Sequence, residues 1–251
     1  MALMDVGWAV YENVLNAEEV NEINDSLEDA YHVRRQIQIE NGIGLNTDGT
    51  LHHLIGPGNF AMRFLNKRCF DEEIKQFLKG QYIVNAFGAV INSKDVRQYV
   101  QKIHRDVRSY TGALKMMIQM IVLLDDFTED NGATHFLSGS HKKDEQPDEK
   151  YFYDNAARAI AKKGSVILFD SNIWHAAGWN YTDKKRRALT ISFSPPYVKQ
   201  QFDYPRNLGY EYGDGLNDGL RQVLGYKSRV PASLYEYYQP THKRMYQPGQ
   251  G

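Results

Sequence analysis

The chain of 251 residues predicts a mainly β fold with flanking helices, and three features lead to that class. Runs rich in β-branched and aromatic residues, bounded by turn signals, crowd the middle of the chain between 82 and 194. Helical periodicity lies mostly before them. No linker-like stretch and no internal repeat interrupts the pattern, so a single domain over 1–251 is expected. Strands grouped mid-chain with helices outside suggest a sandwich or open barrel braced by helices.

The elements follow in order. LNAEEVNEINDSLEDAYHV (15–33) reads as a capped helix: Asn16 precedes Glu18 and Glu19, and Val20, Ile23 and Leu27 fall at helical spacing. IENGIGLNTDGTLHHLIGPGN (39–59), rich in Gly and Asn, reads as a long loop. DEEIKQFLKG (71–80) is a short amphipathic helix ended by Gly80. YIVNAFGAVIN (82–92), YVQKIHRDV (99–107), KMMIQMIVLLDD (115–126), ATHFLSG (133–139), GSVILFD (164–170) and RALTISFS (187–194) are the strand runs. Asn131-Gly132 is a hairpin turn signal. The charged stretch 141–163 reads as an exposed excursion ending in a short helix. From Tyr197 onward the chain holds nine of its 17 tyrosines, too aromatic for disorder, and 197–251 is expected to be an ordered tail packed on the barrel.

Bulk properties narrow the function. A formal net charge of −1 gives no reason to expect nucleic acid or an acidic membrane as partner. The single cysteine, Cys69, excludes an internal disulfide and reads as inert. MALMDVGWAVYENVL lacks the basic and apolar segments of a signal peptide, and MMIQMIVLL (116–124) is too short to span a bilayer. A cytoplasmic protein with a small-molecule substrate is the simplest expectation; oligomeric state is not legible.

The chemistry starts at KIHRDVRSY (102–110). On a strand, His104 and Asp106 point to one side, so imidazole and carboxylate converge as two ligands of one metal would. A third ligand is available in FDSNIWHAAGW, where a turn after GSVILFD carries Trp174 and His175. Two histidines and one carboxylate suit non-haem Fe(II) with open coordination positions; zinc more often takes three or four His or Cys ligands. The open positions call for a co-substrate. A 2-keto acid chelates through its keto oxygen and one carboxylate, and its far carboxylate suits an arginine fork. Arg186 and Arg187 lie 11 and 12 residues after His175. Arg187 shares a face with Leu189, Ile191 and Phe193, whereas Arg186 shares one with Ala188, Thr190 and Ser192, whose small and polar side chains suit a cavity wall. Alternation therefore selects Arg186.

With these residues in view, the chain resembles the phytanoyl-CoA dioxygenase family of Fe(II)/2-oxoglutarate-dependent oxygenases. The resemblance rests on HRD (104–106), LLDDFTEDNGATHFLSGSH (123–141) and WHAAGWNYTDKKRRAL (174–189), and extends over roughly residues 5–195. It implies a double-stranded β-helix (jelly-roll, cupin-like) core, with His104, Asp106 and His175 as iron ligands and Arg186 holding 2-oxoglutarate. It also implies Fe(II), 2-oxoglutarate and O2 as cofactors, and a co-substrate contact from Asn92 in VINSK. Related halogenases replace the iron carboxylate with a small residue; Asp106 is present here, which favours hydroxylation or desaturation. The chain departs from the family pattern at Leu137-Ser138, where a proline is common, and at Ala177, where a hydroxyl residue often helps hold 2-oxoglutarate. On the residues alone, a non-oxidative cupin-like isomerase or hydrolase and a non-catalytic binding barrel are the alternatives.

The remaining candidates are weaker. If the strand through HRDVR continues, Arg108 shares the ligand face about 7 Å further on and could steer an anionic substrate group. His52 and His53, on a loop that could fold over the site, and Trp179 complete the candidate pocket wall. His135 and His141 read as structural, His32 and His242 as surface residues, and Asp125 and Asp126 as solvent-facing.

Overall fold

Asn16 caps the long helix Ala17–Glu40: its side chain accepts from the Glu19 N–H at 3.0 Å, and the Glu19 carboxylate accepts from the Asn16 N–H at 3.0 Å. Val20, Ile23 and Leu27 form its buried stripe. The helix runs further than its sequence pattern, through the start of the stretch expected to be loop. That stretch also contains a helical turn at Gly44–Thr47 and a short strand. The computed structural model describes residues 2–94 and 96–250.

The strands are β1 (Trp8–Tyr11), β2 (Thr50–Leu51), β3 (Ile83–Asn92), β4 (Ile118–Leu123), β5 (His135–Phe136), β6 (Ala157–Arg158), β7 (Val166–Asp170), β8 (His175–Ala176) and β9 (Arg186–Ser194). Among the described residues they form a six-stranded sheet in the order β1-β7-β4-β9-β3-β2 and a three-stranded sheet in the order β6-β5-β8. β1 pairs antiparallel with β7, β2 with β3, and β5 with both β6 and β8. These are the two sheets of a double-stranded β-helix braced by helices, the mainly β class that the sequence predicts.

The chain divides into two compact units. The first comprises 1–54, 88–115 and 119–191. Its core lies between the sheets, where Ile121, Leu123, Ile167, Phe169 and Ala188 from the large sheet meet Phe136 from the small one, with Phe127 and Ile173. The i, i+2 spacing of Ile121 with Leu123 and of Ile167 with Phe169 puts each pair on one strand face. β7 is buried on both faces, so it reads as a continuous apolar run instead of an alternating one.

The second unit comprises 55–87, 116–118 and 192–251. Phe60 and Phe64 of the helix Phe60–Lys67 meet Phe87 edge-on, and the Phe87 N–H donates to the Tyr204 hydroxyl oxygen at 3.1 Å. The segment after Tyr197 is ordered into short helices, among them Tyr204–Leu208 and Asp218–Leu224. Among the described residues, no helix is long and apolar enough to cross a membrane.

Several expectations need correction. WAVY, unremarked in the sequence, is an edge strand. YVQKIHRDV is not a strand: Tyr99–Gln101 is a 3-10 turn, closed by a reciprocal Gln98–Gln101 capping box, and beyond it only His104 makes a β-bridge. The N–H groups of Asp106 and Val107 then converge on the Ser171 carbonyl, at 3.2 and 3.3 Å, which bends the chain. Asn131-Gly132 does turn, but β4 and β5 belong to different sheets, so the turn is a crossover and not a hairpin. In 141–163 the helix Glu149–Asn155 buries Phe152 and leads into β6. The helix Asp71–Leu78 is capped by Lys79 in the left-handed conformation, one residue before Gly80.

Candidate active site

His104 and His175 exchange main-chain hydrogen bonds, each N–H donating to the other's carbonyl at 3.0 Å. Their rings consequently lie 4.2 Å apart, centroid to centroid. Asp106 faces both: its Oδ1 is 3.5 Å from His104 Nε2, and its Oδ2 is 3.6 Å from His175 Nε2. One potential ligand atom from each residue lies within 4.8 Å of the others, the one such cluster of three among the described residues. The i, i+2 convergence expected of a strand is thus achieved by a single bridge followed by a bend.

The ring tautomers follow from the backbone. His104 Nδ1 is 2.7 Å from the Lys102 carbonyl and His175 Nδ1 is 3.0 Å from the Ile173 carbonyl. A carbonyl only accepts, so each Nδ1 carries a proton and each ring turns its Nε2 toward Asp106. Burial pushes the His175 imidazole down to about 4, so it is neutral at pH 7. Burial opposes ionisation of Asp106, but His175 and His104 outweigh it and hold the carboxyl below its ordinary value. The His175 lone pair and a carboxylate oxygen therefore face each other with no proton between them, an arrangement that a cation relieves. Two imidazoles and one carboxylate fit iron(II), and among the described residues no cysteine joins the cluster to favour a closed zinc site.

Sequence reasoning missed the groups that hold this cluster. Phe136 stacks on the His175 ring at 5.8 Å and Phe169 meets it edge-on at 4.9 Å. Nothing separates these from other core phenylalanines in the sequence, although Phe136 is the register partner of His175. Behind Asp106, the buried Asp170 accepts from Lys115 Nζ at 2.6 Å and from the Asn172 N–H at 2.9 Å, fixing the turn whose Ser171 carbonyl seats Asp106.

Arg186 is buried, whereas its neighbour Arg187 reaches out to Asp125 with two 2.8 Å hydrogen bonds from Nε and Nη2. The alternation read from the strand is present, and Asp125 is an ion-pair partner instead of a solvated acid. The Arg186 guanidinium lies 4.4 Å from the Phe127 ring centroid and donates from Nη2 to the Gly132 carbonyl at 2.8 Å. Its buried Nε has no partner, and burial pushes its pKa down to about 10. A buried guanidinium whose Nε has no partner among the described residues is unfavourable unless an anion completes it, which fits the far carboxylate of a keto acid.

Asn92 is fully buried and donates from Nδ2 to the Gly178 carbonyl at 3.0 Å, while its Oδ1 has no partner. It borders Gly132, as Arg186 does, so the two meet at one backbone position. Ala177 uses its N–H on the Val100 carbonyl at 2.9 Å.

The substrate candidates divide. Arg108 is exposed in the bend that follows Asp106, so the continuing strand that placed it beside the ligands does not exist. The main chain at His52 and His53 is clamped by Arg34, whose Nε and Nη2 donate to the two carbonyls at 2.8 and 2.7 Å. His52 Nε2 lies 3.3 Å from the Tyr99 hydroxyl. Trp179 is partly exposed under the Arg97 guanidinium. His135 is buried in β5, and His141 is buried with Nε2 3.2 Å from the Met4 carbonyl.

Residues 4–188 match the phytanoyl-CoA dioxygenase family, PhyH. The uncharacterized protein Rv1501 of Mycobacterium tuberculosis is 33% identical, covering 100% of this chain and 94% of its own. HygX from Streptomyces hygroscopicus, solved with nickel and 2-oxoglutarate, superposes with a TM-score of 0.60 at 12% identity, over 81% of this chain and 88% of its own. EctD from S. alaskensis, solved with 2-oxoglutarate and 5-hydroxyectoine, gives 0.58 at 17% identity, over 77% and 73%. The two solved structures share the fold, and the family match carries the identity: this chain belongs to the phytanoyl-CoA dioxygenase family and is a 2-oxoglutarate-dependent non-haem iron dioxygenase.

Proposed function

We propose that the protein hydroxylates an unactivated C–H bond of a small-molecule metabolite, consuming 2-oxoglutarate and O2 and releasing succinate and CO2. The observation that carries this reading is a pair of imidazole Nε2 atoms and a carboxylate converging on one point, in the same unit as a buried guanidinium whose Nε has no hydrogen-bond partner among the described residues. His104, Asp106 and His175 would hold iron(II). Arg186 would hold the far carboxylate of 2-oxoglutarate, with Asn92 beside it. The 2-oxoglutarate bound in HygX and EctD, and the hydroxylated compound bound in EctD, support the choice of co-substrate and outcome.

When bound, iron(II) supplies the O2 activation that couples loss of CO2 from 2-oxoglutarate to oxidation of the C–H bond. The chain supplies position. The carbonyls of Lys102 and Ile173 keep both Nδ1 atoms protonated, so both Nε2 atoms stay available as ligands. Phe136 and Phe169 fix the His175 ring and keep water from it. Arg186 fixes one end of the co-substrate and so sets the direction from which its keto acid group approaches the ligands. Residues 1–251 are read as one oxygenase domain. Membership of a dioxygenase family sets aside the isomerase, hydrolase and binding-barrel alternatives.

Iron(II) and 2-oxoglutarate added together without oxygen should give a weak visible charge-transfer band that neither gives alone. With oxygen, succinate should form as 2-oxoglutarate disappears. A metal-saturated protein that shows neither overturns the reading.

A further inference from the structure

A strip of exposed rings leads away from the iron ligands, and the oxygen chemistry leaves it unused. Gln98 anchors it. The buried Gln98 side chain donates to the carbonyls of Asp48 and Ile91 at 3.0 and 2.8 Å, and its N–H donates to Gln101 Oε1 at 2.9 Å. Its backbone is extended, so the inward Gln98 turns both neighbours, Arg97 and Tyr99, outward. The Arg97 guanidinium lies 5.8 Å from the Trp179 ring centroid, and the Tyr99 hydroxyl lies 3.3 Å from His52 Nε2.

The strip is tied to the ligands by backbone. His104 and His175 exchange hydrogen bonds, Ala177 donates to Val100, and Arg97 meets Trp179, so 97–104 and 175–179 run side by side. Trp179 lies four residues beyond His175, about 13 Å along an extended chain. Tyr99 sits between: packing around its ring, then the charge of Asp106, raise its phenol above the ordinary 10. Single exposed aromatic residues are unremarked features of most surfaces. Here Trp179 is 41% and Tyr99 45% exposed, a third ring and a cation share their row, and Arg34 clamps the His52 backbone in place. Among the described residues no carboxylate pairs with Arg97.

We propose that Arg97, Trp179, Tyr99 and His52 form the substrate-recognition strip, and that the substrate is a ring-bearing organic acid. Its planar ring stacks on Trp179, its carboxylate takes the Arg97 fork, and its oxidised carbon lies toward His104 and His175. This assignment rests on the dioxygenase reading above.

The test uses protein loaded with iron(II) and 2-oxoglutarate without oxygen, and calorimetry with four probes: indole-3-acetate, indole-3-acetamide, hexanoate and hexanamide. Indole-3-acetate binds about tenfold or more tighter than its amide and than hexanoate, a tenfold ratio being about 1.4 kcal/mol. Arg97→Gln loses the preference for acid over amide and keeps that for ring over chain; Trp179→Leu does the reverse. A merely structural fault weakens all probes alike and leaves both preferences. Equal binding of acid and amide, no binding of any probe, or a preference that survives its variant overturns the inference. The visible band is recorded in the same samples. A band without selectivity overturns the strip alone, and absence of the band brings down the dioxygenase reading and the strip together.

Discussion

His104 and His175 are joined by two reciprocal main-chain hydrogen bonds of 3.0 Å, so the backbone itself brings their rings to 4.2 Å. Side-chain truncation leaves that bridge in place. His104→Ala, Asp106→Ala and His175→Ala should each reduce iron-dependent succinate formation by at least roughly 100-fold, because three protein ligands leave no redundancy. Circular dichroism should stay close to wild type. Wild-type turnover in any one variant would show the ligand set to be misassigned.

Arg186 and Arg187 are adjacent in sequence and differ in surroundings, the first buried against Gly132 and the second paired with Asp125. Arg186→Ala should raise the 2-oxoglutarate concentration needed for half-maximal turnover steeply, since truncating one partner of a buried charge pair costs about 2–5 kcal/mol. Arg187→Ala should leave that requirement nearly unchanged and lower stability by about 1 kcal/mol through loss of the partly exposed Asp125 pair. Titrating 2-oxoglutarate against both variants decides it; reversed effects would move the strand register by one residue.

Gly132 joins Asn92 and Arg186, the two residues proposed to hold the co-substrate. A Cβ there would lie 2.4 Å from Asn92 Nδ2 and 2.6 Å from the Gly178 carbonyl oxygen, at a φ of +88°. Gly132→Ala should therefore destabilise the protein by about 1–3 kcal/mol through overpacking and weaken 2-oxoglutarate binding, since its carbonyl also seats Arg186. Thermal melting with and without 2-oxoglutarate measures both effects. Unchanged melting would mean that the Asn92 side chain yields freely.

His53 holds a left-handed backbone at φ 55°, and loss of water around its ring, then His52 and Arg34, lower its pKa to about 4. A lowered pKa means that the unfolded chain binds the proton more readily. Stability from this residue is complete above about 6.5 and falls as pH drops toward 4. His53→Asn keeps a residue that tolerates the left-handed region and removes the titration. Its melting temperature should fall less between pH 7 and pH 5 than that of the wild type; an equal fall would place the acid sensitivity elsewhere.

Much of the site was legible because its signals are local. The capping box at Asn16 and Glu19, the His-x-Asp spacing and the alternation that separates Arg186 from Arg187 each depend on a few neighbouring residues, and backbone geometry turns such spacing into direction. The errors came where the outcome depended on distant partners. YVQKIHRDV has the composition of a strand, yet its N–H groups found the Ser171 carbonyl and a glutamine capping box. WAVY lies near the start and becomes a strand only because β7 offers it an edge.

Composition and spacing determined the mainly β class, the candidate metal residues and the arginine proposed for the co-substrate, since each is a statement about side chains a few positions apart. Only tertiary structure decided that Phe136 packs on His175, that Asn92 meets Arg186 at Gly132, and that Arg97 lies over Trp179. Those relationships join residues tens of positions apart, and chain closure over such distances is set by the packing of the whole unit and by no local preference.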